Sequence, residues 1–483
     1  MLFNSYIYIF FFLPTVLVVY FLLNRMKLVV GAKIWLVVSS VFFYSYWTPE
    51  YSFLIILSVL VNYGLGAVLQ RSSLDKELRR RTLILGVGVN LAALGWFKYA
   101  DFFVENVNAL AGTVIPLPNV VLPLAISFFT FQQLAYLVDC HRGKAREPRF
   151  LDYSLFVCFF PQLIAGPIVH HSEMMGQFKQ LKTKIFNWVN VSSGLNLFLL
   201  GLFKKVVIAD RLSPWVAQGF DNPASLNLLA SWASSLAYTF QIYFDFSGYT
   251  DMAMGTALML NIKLPQNFNS PYKALSIQDF WSRWHMTLSR FLRDYLYIPL
   301  GGNRYGLSST CRNLFITFLL GGIWHGAGWT FVIWGVLHGL AMVVHRFWTN
   351  AGLRMSKYLA WPVVFLFVNF AWVFFRAKTF ADAMRMLKSM VGLNDIVLPK
   401  FMQSAFLADY GVAFSSPLYG FHQRDLVVPL LAACFLSCLW CSNSNEITER
   451  FTPTRLRLVG AVAVAVMSII YVGSPSEFIY FQF

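Results

Sequence analysis

An all-α, polytopic membrane protein is the fold class that the sequence predicts, on two observations. Apolar runs of roughly 20 residues, the length that crosses a bilayer as a helix, recur along the whole chain. Charged residues make up only 12% of it, against 57% hydrophobic and 18% aromatic; a soluble globular chain carries about 25% charged residues. A large soluble protein with an oversized core fits that balance poorly.

The first run, Tyr6–Leu23, has no basic residue before it and no small-residue cleavage site after it, and Arg25 and Lys27 follow. It is expected to be a retained membrane helix with an outside N-terminus rather than a signal peptide. Ile34–Trp47 is short; Ser52–Leu69, Thr82–Phe97 and Val120–Val138 come next. Leu151–Ile168 contains Pro161, Gly166 and Pro167. It is the best re-entrant candidate, because backbone broken at membrane depth must be sheltered by protein or line a cavity. Phe186–Ile208, Leu226–Met259, Leu314–Val344, Tyr358–Phe375, Leu426–Trp440 and Leu458–Val472 complete the series. The two longest can each hold two passes or a bent pair, so about 11–13 transmembrane or re-entrant helices are expected. Phe380–Met390 reads as an amphipathic segment on a membrane face and Asn394–Arg424 as an exposed loop. No transporter-type repeat or low-complexity linker interrupts the chain, so residues 1–483 are read as one membrane domain.

Basic residues set the orientation. Arg71, Lys76, Arg79, Arg80 and Arg81 crowd one loop, and Arg142, Lys144, Arg146 and Arg149 another; Asp101 and Glu105 lie between. The positive-inside rule puts the two basic loops in the cytoplasm. The net charge of +16 is therefore topological, and no polar platform for nucleic acid accompanies it. Cys434, Cys438 and Cys441 lie on or beside one apolar segment at helical spacing, without a metal-ligand or disulfide pattern. The glycines around His325 lack the Lys-Ser/Thr of a phosphate loop.

Chemistry is expected where ionisable residues interrupt this background, since such groups near a bilayer core are costly. Asp279, Arg283, His285, Arg290, Arg293, Asp294 and Arg304 form one block, and His325 lies further on inside an apolar run. His141, His345 and His422 read as solvated or interfacial rings, while His170 and His171, after the Gly-Pro break, stay open. His325 is bracketed by Trp324, Trp329 and small residues that leave room for a ligand. Its bland reading is a core imidazole donating to a backbone carbonyl; its functional one is a proton carrier, since imidazole titrates near neutrality. His338 lies 13 positions on, roughly 220° around an unbroken helix, and would not share that face. Trp281, Trp284, Leu288 and Leu292 form an apolar stripe at helical spacing, which places His285 on a boundary helix. That helix is either a plain interfacial anchor or a site wall able to bind an anionic donor through its arginines.

Several stretches, in order, resemble the membrane-bound O-acyltransferase family, in particular its bacterial alginate O-acetylation branch. They are Pro123-Leu-Ala-Ile-Ser-Phe-Phe-Thr-Phe-Gln132, Phe160-Pro-Gln-Leu-Ile-Ala-Gly-Pro167 and Gly201-Leu-Phe-Lys-Lys-Val-Val-Ile-Ala-Asp210. Tyr243-Phe-Asp-Phe-Ser-Gly-Tyr-Thr-Asp251, the Arg283–Arg304 block and Trp324-His-Gly-Ala327 follow. Trp334-Gly-Val-Leu-His-Gly339, Trp372-Val-Phe-Phe-Arg376 and the terminal Phe478-Ile-Tyr-Phe-Gln-Phe483 complete the match. The resemblance implies helices around a central funnel and a transferase carrying an acyl group from a cytoplasmic thioester to an acceptor on the far side. It implies that His325 is the essential histidine and His285 its polar partner, with Arg283, Arg290 or Arg293 meeting the donor phosphates.

From the same resemblance, acetyl-CoA is the expected donor, without a tightly bound cofactor or metal. An envelope-side serine-hydrolase-type (SGNH) acetyltransferase is the expected partner, and the bacterial inner membrane the location. Alginate is the preferred acceptor, with cellulose and peptidoglycan systems sharing the pattern. D-alanyl transfer to teichoic acid from a carrier protein is the alternative within the family, and a proton-coupled transporter the alternative outside it.

Overall fold

The computed structural model describes all residues except 48, 72, 74, 451–453, 474–477 and 480–483. The last four terminal aromatic-rich residues of the family-like ending thus lie outside the described set. The chain is an all-α polytopic membrane protein. Among the described residues, six helices are long and apolar enough to cross a membrane: Tyr8–Arg25, Tyr51–Leu69, Lys76–Ala111, Trp188–Asp221, Trp329–Asn350 and Lys357–Arg376. Val29–Ser45 is a shorter apolar helix. The chain divides into two compact units, one of Met1–Phe203, Gly248–Asn267 and the described residues from Ser444 on, the other of Lys204–Ser247 and Phe268–Asn443.

In the first unit, polar residues join helices where apolar contact alone gives no preference between protein and lipid. Asn62 and Asn90 exchange amide hydrogen bonds of 3.2 and 2.6 Å between Tyr51–Leu69 and Lys76–Ala111. The second of these helices begins at Asp75, whose carboxylate accepts from the amides of Glu77 and Leu78. It ends at Gly112, in the left-handed conformation at φ +64°. Capping at both ends satisfies groups the helix itself leaves open.

The suspected break is present. A helix runs Phe150–Cys158, Phe159 turns out of it at ψ 106°, and a short turn follows at Phe160–Leu163. The interruption is sheltered by protein. The Gln132 and Gln162 amides donate to the Phe156 carbonyl at 2.7 and 2.6 Å, and the Phe160 amide donates to Ser40 Oγ at 3.1 Å. Beyond it, His171 Nε2 lies 3.5 Å from Glu147 and His170 Nδ1 3.8 Å from Asp139, which gives both histidines carboxylate neighbours. Burial opposes ionisation of Glu147, yet His171 and Lys179 hold its carboxyl below the ordinary carboxylate range.

The second unit opens on a π-helical stretch, Lys204–Ala209, leading into Asp210–Asp221. Lys205, 2% exposed, lies 2.7 Å from Asp245 and 2.9 Å from Asp210, an ion cluster that only mutual pairing makes tolerable in so apolar a setting. Of the two longest apolar runs, one is a single helix, Leu228–Met259, and the other is a pair, Gly306–His325 and Trp329–Asn350. Phe380–Met390 forms the expected amphipathic helix, burying Ala383, Met386 and Met390. The stretch expected as a loop from Asn394 carries two short parallel strands, Val397–Leu398 and Ala413–Phe414, before the helix Arg424–Trp440.

Candidate active site

Both candidate histidines sit at helix ends, and in each case the local backbone explains why. The apolar run around His325 breaks because Gly326 and Gly328 are fully extended, at φ −161° and −174°. His325 is therefore the last residue of one helix, not the middle of a longer one. Small residues then let the two helices close on each other. A Cβ built on Gly322 would lie 2.7 Å from the Gly335 Cα and 2.6 Å from the Phe331 carbonyl oxygen, so only glycine allows this approach.

The hairpin buries His325, 4% exposed, in an aromatic cage. Its ring meets Trp324, Trp334 and Phe375 edge-on, with centroids 4.8, 5.0 and 5.2 Å away. Trp334 in turn stacks on Trp372 at 5.9 Å. The same hairpin corrects the sequence expectation for His338. Because the helix is broken, His338 does reach the cage: its ring lies 4.6 Å from that of Trp334. Trp281 Nε1 donates to His338 Nδ1 at 3.2 Å, and His338 is fully buried.

The stripe of Trp281, Trp284, Leu288 and Leu292 does not lie on one helix. Two seven-residue helices, Ile277–Arg283 and Met286–Leu292, meet at Trp284, which is extended, and His285, which is left-handed at φ +44°. That conformation costs a residue other than glycine roughly 1–2 kcal/mol, and such strain gathers at functional positions. The reason for the break is packing. Trp284 leaves the helix to meet Trp372 at 5.0 Å, and His285 turns its fully buried ring edge-on to Phe246 at 4.8 Å. Burial pushes its imidazole pKa down to about 3, so the ring is neutral at physiological pH.

The three candidate donor-binding arginines fall in different surroundings. Arg283 is half-buried, pairs with Asp279 at 2.7 Å, and donates to the Asn269 carbonyl at 3.3 Å. Arg290 is half-buried on the second short helix. Arg293 is exposed, pairs with Asp294 at 2.8 Å, and lines a cavity of about 280 Å³ together with Tyr297, Asn303, His345 and Arg346. Trp281, the donor to His338, forms part of the wall of that cavity. Sequence reasoning missed His338 and Trp334 as members of the cage. Their spacing of four residues, which puts both on one helix face, was the available signal.

A buried histidine cage at the end of the helix Gly306–His325, walled by tryptophans and sharing Trp281 with the wall of an arginine-lined cavity, suits proton transfer away from bulk water. The membrane-bound O-acyltransferase family model matches residues 41–381, and the chain belongs to that family: it is a multi-pass membrane O-acyltransferase. Over its full length it is 44% identical to the peptidoglycan O-acetyltransferase of Helicobacter pylori, covering 98% of that protein. It is 35% identical to the probable alginate O-acetylase AlgI of Pseudomonas putida, over the whole of both chains. The teichoic acid D-alanyltransferase of Bacillus subtilis is 28% identical over 55% of this chain and 71% of its own length.

Proposed function

We propose that this chain takes an acetyl group from a cytoplasmic thioester and passes it across the bacterial inner membrane for O-acetylation of an envelope glycan. The observation that carries this reading is His325, buried in its cage at a helix end. There His325 acts as general base on the acceptor hydroxyl, a role worth about 10²–10⁴-fold in rate. His285, held neutral by burial, orients the acceptor or steadies developing charge. Acetyl-CoA is the donor, with Arg293 and Arg346 at the cavity mouth, and Arg283 or Arg290 nearby in sequence, meeting its phosphates.

Full-length identity supports acetyl transfer over D-alanyl transfer, whose representative matches about half of the chain. The higher identity with the peptidoglycan enzyme favours peptidoglycan over alginate as the polymer. An envelope-side serine-hydrolase-type acetyltransferase completes the transfer, and it is expected to co-purify with this chain from its native membrane.

The test is transfer of radiolabel from acetyl-CoA by purified protein in lipid, comparing wild type with His325→Ala. Loss of transfer in a correctly inserted variant supports the assignment. Full activity in that variant refutes it, and transfer only from an acyl carrier protein moves the reading to D-alanyl chemistry.

A further inference from the structure

Among the buried N–H groups of the histidine cage, two on one helix have no acceptor among the described residues. One is Trp334 Nε1; the other is His338 Nε2. The Nδ1 of His338 accepts from Trp281 Nε1, and in a neutral imidazole an accepting Nδ1 leaves the proton on Nε2. Both side chains are at most 1% exposed. They stand four residues apart on one face of Trp329–Asn350, with ring centroids 4.6 Å apart. His325 packs against the same Trp334 ring at 5.0 Å.

Unpaired N–H groups in an apolar interior are costly, and folded proteins leave few of them. Here they occur as a pair, on the cage that holds the candidate base. A site offering donors alone suits an oxygen that gains negative charge, and donors in place before the reaction stabilise such charge without reorganising.

We propose that Trp334 Nε1–H and His338 Nε2–H are the donor pair that receives the carbonyl oxygen of the acyl thioester and stabilises the oxyanion formed there. The assignment rests on His325 being the general base. As His325 removes the proton from the acceptor hydroxyl, the hydroxyl oxygen bonds to the carbonyl carbon, and the carbonyl π electrons move onto the oxygen held by the pair. Collapse re-forms the C=O and breaks the C–S bond. The departing thiolate takes the proton from His325, leaving an ester, a thiol and a neutral base. Trp281 is a positioning residue, acting by fixing the tautomer of His338.

Trp334→Phe removes one donor and keeps a ring in the cage, while His338→Phe removes the other and His338→Gln restores a donor. With acetyl-CoA as donor, each Phe variant is expected to lose about 10²–10³-fold in kcat with little change in donor KM, and His338→Gln to recover part of the loss. A second readout is independent of turnover. The ¹³C-labelled carbonyl of acetonyl-CoA, a ketone that cannot transfer its acyl group, should absorb at lower frequency when bound to wild type, and less so in each Phe variant.

Unchanged kcat in both Phe variants, beside an inactive His325→Ala, overturns the donor pair and leaves the base in place. No transfer by wild type, or a fully active His325→Ala, overturns the base assignment and the pair with it. Should the Phe variants not fold, the wild-type ketone band decides, since an unshifted band excludes hydrogen bonding to the carbonyl.

Discussion

Adding one methyl group at Gly322 should separate catalytic geometry from simple membrane insertion. The alanine Cβ would meet the Gly335 Cα at 2.7 Å and the Phe331 carbonyl oxygen at 2.6 Å. Both are backbone atoms of the facing helix and cannot swing aside. Restoring the 3.4 Å of ordinary contact opens the hairpin by about 0.8 Å at the tighter of the two contacts, and overpacking of this kind costs about 1–3 kcal/mol. Trp334 sits beside Gly335, so its ring shifts relative to His325 by a similar amount. Since a displacement of about 1 Å at a reacting centre costs up to 10²-fold, activity should fall by roughly 10- to 100-fold. Gly321→Ala is the control, because its Cβ meets only Leu292 Cδ1, at 3.5 Å. Acetyl-transfer kinetics and melting temperature in the same lipid compare the two variants. Equal activity and equal stability would show that the close approach of these helices does not set the cage.

Three further outcomes are expected. Lys205→Met leaves Asp245 buried without its lysine and should destabilise the protein by about 3–5 kcal/mol, with Lys205→Met/Asp245→Asn recovering part of it; a fully stable single variant, measured by thermal melting, counts against the cluster. The folded-state pKa of His285 lies below its unfolded value, so between about pH 6.5 and 3 the unfolded chain binds the extra proton and stability falls as pH falls. The melting temperature of His285→Gln should therefore drop less between pH 7 and pH 5 than that of wild type, and parallel slopes would remove this contribution. Arg293→Ala should raise the donor KM by about tenfold through loss of a charge-assisted contact with kcat nearly unchanged, whereas an unaltered KM places the phosphates elsewhere.

The sequence by itself determined the membrane class, the helical content and the broken segment after Leu151, and it singled out the two histidines on which the proposed function rests. These depend on local properties: apolar length, glycine and proline in mid-run, and the rarity of ionisable groups in hydrocarbon. The amphipathic helix Phe380–Met390 was legible for the same reason, its spacing being a property of the helix itself. Only the tertiary structure decided that Leu314–Val344 folds back on itself while Leu226–Met259 forms one helix, since length allows either. Extended glycines at 326 and 328, and the contact of Gly322 with Gly335, settle the first. That hairpin brings His338 to the cage, against the angle reckoned for an unbroken helix. The stripe through Trp281 and Trp284 likewise predicted one helix, because spacing records what a helix could bury and not what neighbouring rings demand. Trp284 packs on Trp372, nearly ninety positions away in sequence, and that contact makes the break at His285 worth its backbone strain.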